Sequence, residues 1–188
     1  MITASDFHRI RTLLGQQAEE DIAWAQACKP PKDAEAFALE VIFVICNSGM
    51  RNTVARGIFE RVKAAILDGR SASEVFRHKG KAAAIDHVWR HQELLCFDYT
   101  VADDKLAFAE SLPWIGGITK YHVTKNFGAD VAKPDVHLQR LADREGCNVQ
   151  ALCERLAGEL GLRVAAIDTV LWRACANGIL NSRTGEIA

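Results

Sequence analysis

No stretch of useful length in this chain alternates apolar and polar residues. Apolar residues instead recur at three- and four-residue spacing almost from end to end, as in Phe7, Ile10, Leu13 and Leu14. That period commits a chain to helices, and it predicts an all-α fold of roughly nine or ten helices. The breaks are equally readable. Lys29–Asp33 carries two adjacent prolines, which cannot continue a helix. Asn47–Asn52 is a run of turn formers after the apolar Ala34–Cys46, which reads as a central buried helix. Further helices are expected over Asp6–Cys28 (capped by Ser5), Thr53–Leu67, Lys79–Phe97, Asp103–Glu110, Gly117–Phe127, Val149–Leu160 and Val164–Ala176. Another should start at Pro134, a residue suited to a first helical turn. The β-branched and aromatic patch "FDYTVADD" is too brief for a sheet.

Composition removes several function classes. The longest apolar run, Phe37–Cys46, contains Glu40 and is too short to span a bilayer. The N-terminus lacks the charged start and apolar block of a secretory signal, so a cytoplasmic protein with no membrane partner is expected. The six cysteines, at 28, 46, 96, 147, 153 and 175, form no C-x-x-C pair. They read as small buried hydrophobes, not as disulfides or metal ligands. A net charge of −1 excludes a surface that is basic all over, and leaves room for a locally basic face.

The stretch "LPWIGGITKYHVTKNFGADVAKPDVHL", Leu112–Leu138, carries the strongest functional signal. A helix ends, a tight connection through Gly116 and Gly117 follows, and a second helix begins: a helix-hairpin-helix. Glycines let a backbone approach a ligand closely. The next helix opens there with unpaired N–H groups and a positive dipole end, which suits a phosphate. Lys120 and Lys125 are expected to add charge for sequence-independent DNA contact. The plain alternative is a helical hairpin with glycines chosen for the turn. Asp135 follows Pro134 at a helix start. It is either an ordinary cap or a carboxylate placed near the sugar beside a bound phosphate.

These residues resemble the signature of the helix-hairpin-helix DNA glycosylases, L-P-G-h-G-x-K/x-T-A followed about fifteen residues later by V-D-x-H. Leu112, Pro113, Gly116 and Thr119 fall on matching positions, Asp135 on the essential aspartate and His137 on the histidine after it. Upstream, "VICNSGMRNTVARGIFERV" resembles the element with which the 8-oxoguanine enzymes plug the DNA stack, and "KGKAAAI" the start of the following helix. The resemblance implies two helical subdomains flanking a DNA-binding cleft: 36–133 with the hairpin, and 1–35 with 134–188 built from both termini. It implies an enzyme that flips a damaged or modified base out of double-stranded DNA and cuts its N-glycosidic bond, with Asp135 stabilising the cationic sugar.

Site roles follow on the same footing. Trp114, Gly116, Gly117, Thr119 and Lys120 would hold the DNA backbone. Asn47, Met50, Arg51 and Asn52 would supply the wedge and the contacts to the orphaned base. Asp168 and Trp172 would line the base pocket, although core packing is the commoner use of a helical tryptophan. Trp24 and Trp89 read as core, and the histidines at 8, 78, 87 and 91 as structural. Two departures refine the expectation. Ile118 stands where strand-cutting members carry a Schiff-base lysine, so base removal alone is expected. The iron–sulfur cysteines of some branches are missing, so no cofactor is expected, and no metal beyond a cation on the hairpin backbone. A monomer is expected. Three alternatives stand beside repair by base removal alone: a defence enzyme removing a modified cytosine from foreign DNA, a DNA-binding module without chemistry, and a bifunctional lyase using another lysine.

Overall fold

The computed structural model describes every residue of the 188-residue chain except Asn52. Among the described residues it is all-helical, with a single antiparallel bridge between Leu180 and Ile187. The helices are α1 (Ala4–Leu14), α2 (Gln16–Ala27), α3 (Ala34–Asn47), α4 (Asn52–Leu67), α5 (Lys79–Arg90), α6 (Gln92–Val101), α7 (Lys105–Ser111), α8 (Thr119–Asn126), α9 (Val136–Glu145), α10 (Val149–Leu160) and α11 (Val164–Ala176), with a short 3-10 turn at Ala72–Glu74. Among the described residues no helix is long and apolar enough to cross a membrane.

The count exceeds the expected one because two predicted helices are each broken. Asp6–Cys28 splits at Gly15, whose φ of 58° and ψ of −133° lie outside the helical region and favour glycine. Its first half is capped by Thr3, not Ser5, through a reciprocal capping box with Asp6. Lys79–Phe97 splits at His91, with φ −109° and ψ 19°. The "FDYTVADD" patch lies largely in α6. Pro134 precedes α9 instead of opening it, because Asp135 takes the capping position.

The chain divides into two compact units. Met1–Pro30 with Lys125–Ala188 makes one, and Pro31–Thr124 the other. In the first, α11 is buried continuously from Val164 to Leu171 and forms the centre of the core. Ile10, Leu138, Leu152, Ile167 and Leu171 are fully buried or nearly so, each worth about 1.5–3 kcal/mol of removed apolar surface. Arg173 on α11 grips Asp21 on α2 through two bonds of 2.9 and 3.0 Å. In the second unit α3 has the central place, with Phe37, Val41, Ile42 and Ile45 fully buried. It packs against α4, α5 and α6.

Candidate active site

In the hairpin, Ile115 N–H closes on the Leu112 carbonyl at 3.1 Å and Lys120 N–H on the Gly116 carbonyl at 2.9 Å. The Gly116 N–H donates to the Thr119 hydroxyl at 2.8 Å. Thr119 therefore belongs to the turn itself. The Gly117 and Ile118 N–H groups find no acceptor among the described residues and lie on exposed residues, where α8 begins. A side chain on Gly116 would meet nothing within 4 Å, so its glycine keeps the approach open and answers no internal crowding.

The left-handed position of the turn falls on Trp114, with φ 67°. A large side chain is unfavourable there. Its indole compensates by packing on α5. Its ring lies 5.0 Å from that of His78, and a Cβ on Gly80 would sit 2.7 Å from its Cζ3. Trp114 remains 44% exposed. It joins the hairpin to the start of α5, where the His78 ring caps by accepting the Lys81 N–H at 3.3 Å. Lys120 meets Glu110 at 2.5 Å, so its charge is partly spent inside the hairpin.

In the same unit the predicted wedge lies at the junction of α3 and α4. Asn47 ends α3, Gly49 turns the chain with φ 69°, Met50 is half-buried, and Arg51 is exposed and starts α4 without a side-chain cap. Asn52 lies outside the described residues. Lys81, which the sequence reading did not single out, is buried here, and its ammonium donates to the Ser48 carbonyl at 2.5 Å and the Cys46 carbonyl at 3.4 Å. A cation on the last carbonyls of a helix is well placed. Burial pushes its pKa down.

The second group of site residues lies in the other unit. Asp135 caps α9: its Oδ1 accepts the His137 N–H at 2.9 Å and the Leu138 N–H at 3.0 Å. Among the described residues its Oδ2 has no hydrogen-bond partner, and the residue is half-buried. His137 meets the Ser182 hydroxyl at 3.1 Å. Cys175 lies close enough to feel this carboxylate. Burial first, and Asp135 second, push its thiol up to about 12, so it stays protonated and unreactive.

Asp168 is buried in the middle of α11, so it does not cap that helix. It pairs with Lys125 through Oδ2 and accepts the Lys133 N–H at 2.9 Å through Oδ1. Lys125 is consequently 8% exposed and does not present its charge at the surface, contrary to expectation. Its ammonium also lies 5.9 Å from the centre of the Trp24 ring. Trp24 is 42% exposed instead of buried in the core. Trp172 is half-buried against the core of its unit, with the Arg173 guanidinium 5.2 Å from its ring centre. Lys133, also missed from sequence, is half-buried beside Asp135, and the Asp135 N–H donates to its carbonyl at 2.8 Å. The lysine–proline–aspartate run was the available signal, since proline restrains the chain between the two charges. Among the described residues no three His, Cys, Asp or Glu side chains converge to hold a metal ion.

The architecture is that of a known class: the chain shares its helical fold with solved structures of 8-oxoguanine DNA glycosylases. It superposes on the 8-oxoguanine DNA glycosylase of Thermotoga maritima with a TM-score of 0.66 and 15% identity, over 98% of this chain and 97% of that one. It also matches the 8-oxoguanine glycosylase/lyase of Methanocaldococcus jannaschii, solved in complex with a 15mer DNA containing 8-oxoguanine, with a TM-score of 0.63 and 15% identity over the full length of both. No protein-family model and no curated protein sequence matches the chain.

Proposed function

We propose that this chain is a DNA glycosylase. It takes a modified nucleotide out of double-stranded DNA and hydrolyses its N-glycosidic bond, leaving an abasic site, and it acts as a monomer without a cofactor. The observation that carries the reading is the divided carboxylate of Asp135. One oxygen is fixed by two helix N–H groups and the other has no partner among the described residues, in a chain with a glycosylase fold. A carboxylate held in this way is preorganised to stabilise the cationic sugar that forms as the base departs, and to accept a proton from the attacking water. The open Gly117 and Ile118 N–H groups suit the DNA backbone. Ile118 provides no amine at the position where strand-cutting members carry the Schiff-base lysine, and the Lys120 ammonium is held by Glu110, so base release without strand cutting is the reaction proposed. Asp168 with its Lys125 partner, and Trp172, are kept as the proposed base-pocket groups.

A second reading has a specific observation behind it. The two N–H bonds of Asp135 are those of an ordinary helix cap, which is all that a non-catalytic DNA-binding module needs. Asp135→Asn separates the two, because asparagine caps a helix about as well as aspartate and removes only the charge. On duplexes carrying oxidised purines, alkylated purines or modified cytosines, the variant should bind as the parent does and release no base, scored as alkali-labile sites. Unchanged release by the variant sinks the catalytic assignment. Which duplex is cut decides between repair and defence.

A further inference from the structure

Lys81, Lys105 and Lys125 are each held by acceptors within the chain. Lys81 donates to two carbonyls, Lys105 to the Tyr99, Thr100 and Ala102 carbonyls at 2.6, 2.8 and 2.8 Å, and Lys125 to Asp168. The Lys133 ammonium has no such partner among the described residues, although the side chain is half-buried. Its backbone is fixed from both sides: the N–H by Asp168 at 2.9 Å and the carbonyl by the Asp135 N–H at 2.8 Å. A long cationic side chain is thus anchored at its root and left unpaired at its tip, beside a carboxylate that also keeps one oxygen unpaired.

We propose that Lys133 is the general acid of the reaction, protonating the departing base while Asp135 serves the sugar and the water. This rests on the glycosylase reading and deepens it. The bond from C1′ to the base nitrogen breaks, and its electron pair stays on the base. The Lys133 ammonium gives the base a proton. Water adds to C1′ and passes a proton to the Asp135 carboxylate. Exchange with solvent returns one proton to the Lys133 amine and removes the other from Asp135. The charged groups acting on Lys133 are consistent with a donor: burial lowers its pKa first, Lys125 lowers it further, and Asp135 and Asp168 hold it up. An ammonium lowered toward the working pH gives up its proton more readily than a free lysine.

The test is the dependence on leaving group. Single-turnover release is measured from duplexes carrying 8-oxoguanine, a neutral leaving base, and N7-methylguanine, which already carries a positive charge. Lys133→Met should slow release of the neutral base by about 100-fold or more, the low end of general-acid effects. Release of the cationic base should change less than about threefold. Lys133→Arg, which keeps charge and reach but holds its proton, should bind DNA normally and fail on the neutral base. In the parent protein, release of the neutral base should fall as pH rises through the lowered lysine pKa, and release of the cationic base should not. Equal losses on both duplexes overturn the role, because a structural or DNA-binding lysine affects both. So do no loss on either, action of the parent protein on the cationic base alone, and a borohydride-trapped adduct at Lys133, which would make it a nucleophile. A parent protein that releases neither base overturns the glycosylase reading and this role with it. An active parent with an unaffected Lys133→Met overturns the role alone.

Discussion

Asp104 and Asp135 cap their helices in the same way. Each gives one carboxylate oxygen to two backbone N–H groups: Asp104 to Leu106 and Ala107, both at 2.9 Å, and Asp135 to His137 and Leu138 at 2.9 and 3.0 Å. Each also has a lysine nearby in sequence. Beyond the cap the two sites diverge. Asp104 is exposed, and Lys105 turns away to three carbonyls at the end of α6. Asp135 is half-buried, and the Lys133 ammonium has no hydrogen-bond partner among the described residues. Capping geometry therefore does not mark a catalytic carboxylate. What distinguishes the second pair is that its charges are partly withdrawn from water and, among the described residues, make no ion pair at contact distance, an arrangement that lowers stability unless a ligand completes it.

The largest expected effect breaks this comparison at its chemical end. Asp135→Asn should reduce base release by about 100- to 1,000-fold, the scale of losing a preorganised electrostatic group at a transition state. Asp104→Asn should leave it unchanged. Unfolding midpoints for both should stay near the parent value, because asparagine preserves the cap. Equal activity losses in the two variants would mean that α7 and α9 matter only as structure.

Gly80→Ala comes next. The added Cβ would meet the Trp114 ring at 2.7 Å, and that ring is pinned by a left-handed backbone at its own root. A cost of about 1–3 kcal/mol is expected, the usual scale of overpacking. DNA affinity should fall as the hairpin shifts. Trp114→Gly in the same chain should restore stability and affinity, since glycine both relieves the clash and suits φ 67°. Failure of the double variant to recover would show that Trp114 touches DNA itself.

A smaller effect tests the shared half of the comparison. Asp104→Ala and Asp135→Ala should each cost about 1 kcal/mol by denaturant unfolding, the ordinary value of a cap. A clearly smaller loss at Asp135 would indicate that its partly buried, unpaired charge already costs the folded state energy.

The helical class, most helix positions and the hairpin were readable because helical period, prolines and glycines act locally. Gly15 and His91 break helices whose apolar period runs on, so backbone conformation decided what side-chain pattern did not. The cap at Asp135 was readable because its neighbours in sequence set it. The burial of Lys125 was not, since it depends on Asp168 on a distant helix. Trp24 was read as core because helical spacing cannot say which face of α2 is covered. Lys81 and Lys133 were missed for the same reason: a lysine reads as solvated until the fold shows what surrounds it.

The smallest expected effect concerns the hairpin charge. Lys120 occupies a helix-hairpin-helix position and meets Glu110 at 2.5 Å, and that contact raises its pKa. The ammonium is thus charged at any working pH, while much of its field is cancelled by the carboxylate. Glu110→Gln should free that charge and tighten binding to any duplex by a few-fold at low salt, with a steeper loss of affinity as salt is added. Lys120→Ala should shift the salt slope the other way by less than the value of about 1 expected for a full phosphate contact. The sequence of the duplex should not matter to either variant, because a backbone contact carries no base information. If Glu110→Gln left affinity unchanged while Gly80→Ala lowered it, hairpin binding would rest on shape and open N–H groups, and the lysine would serve the hairpin alone.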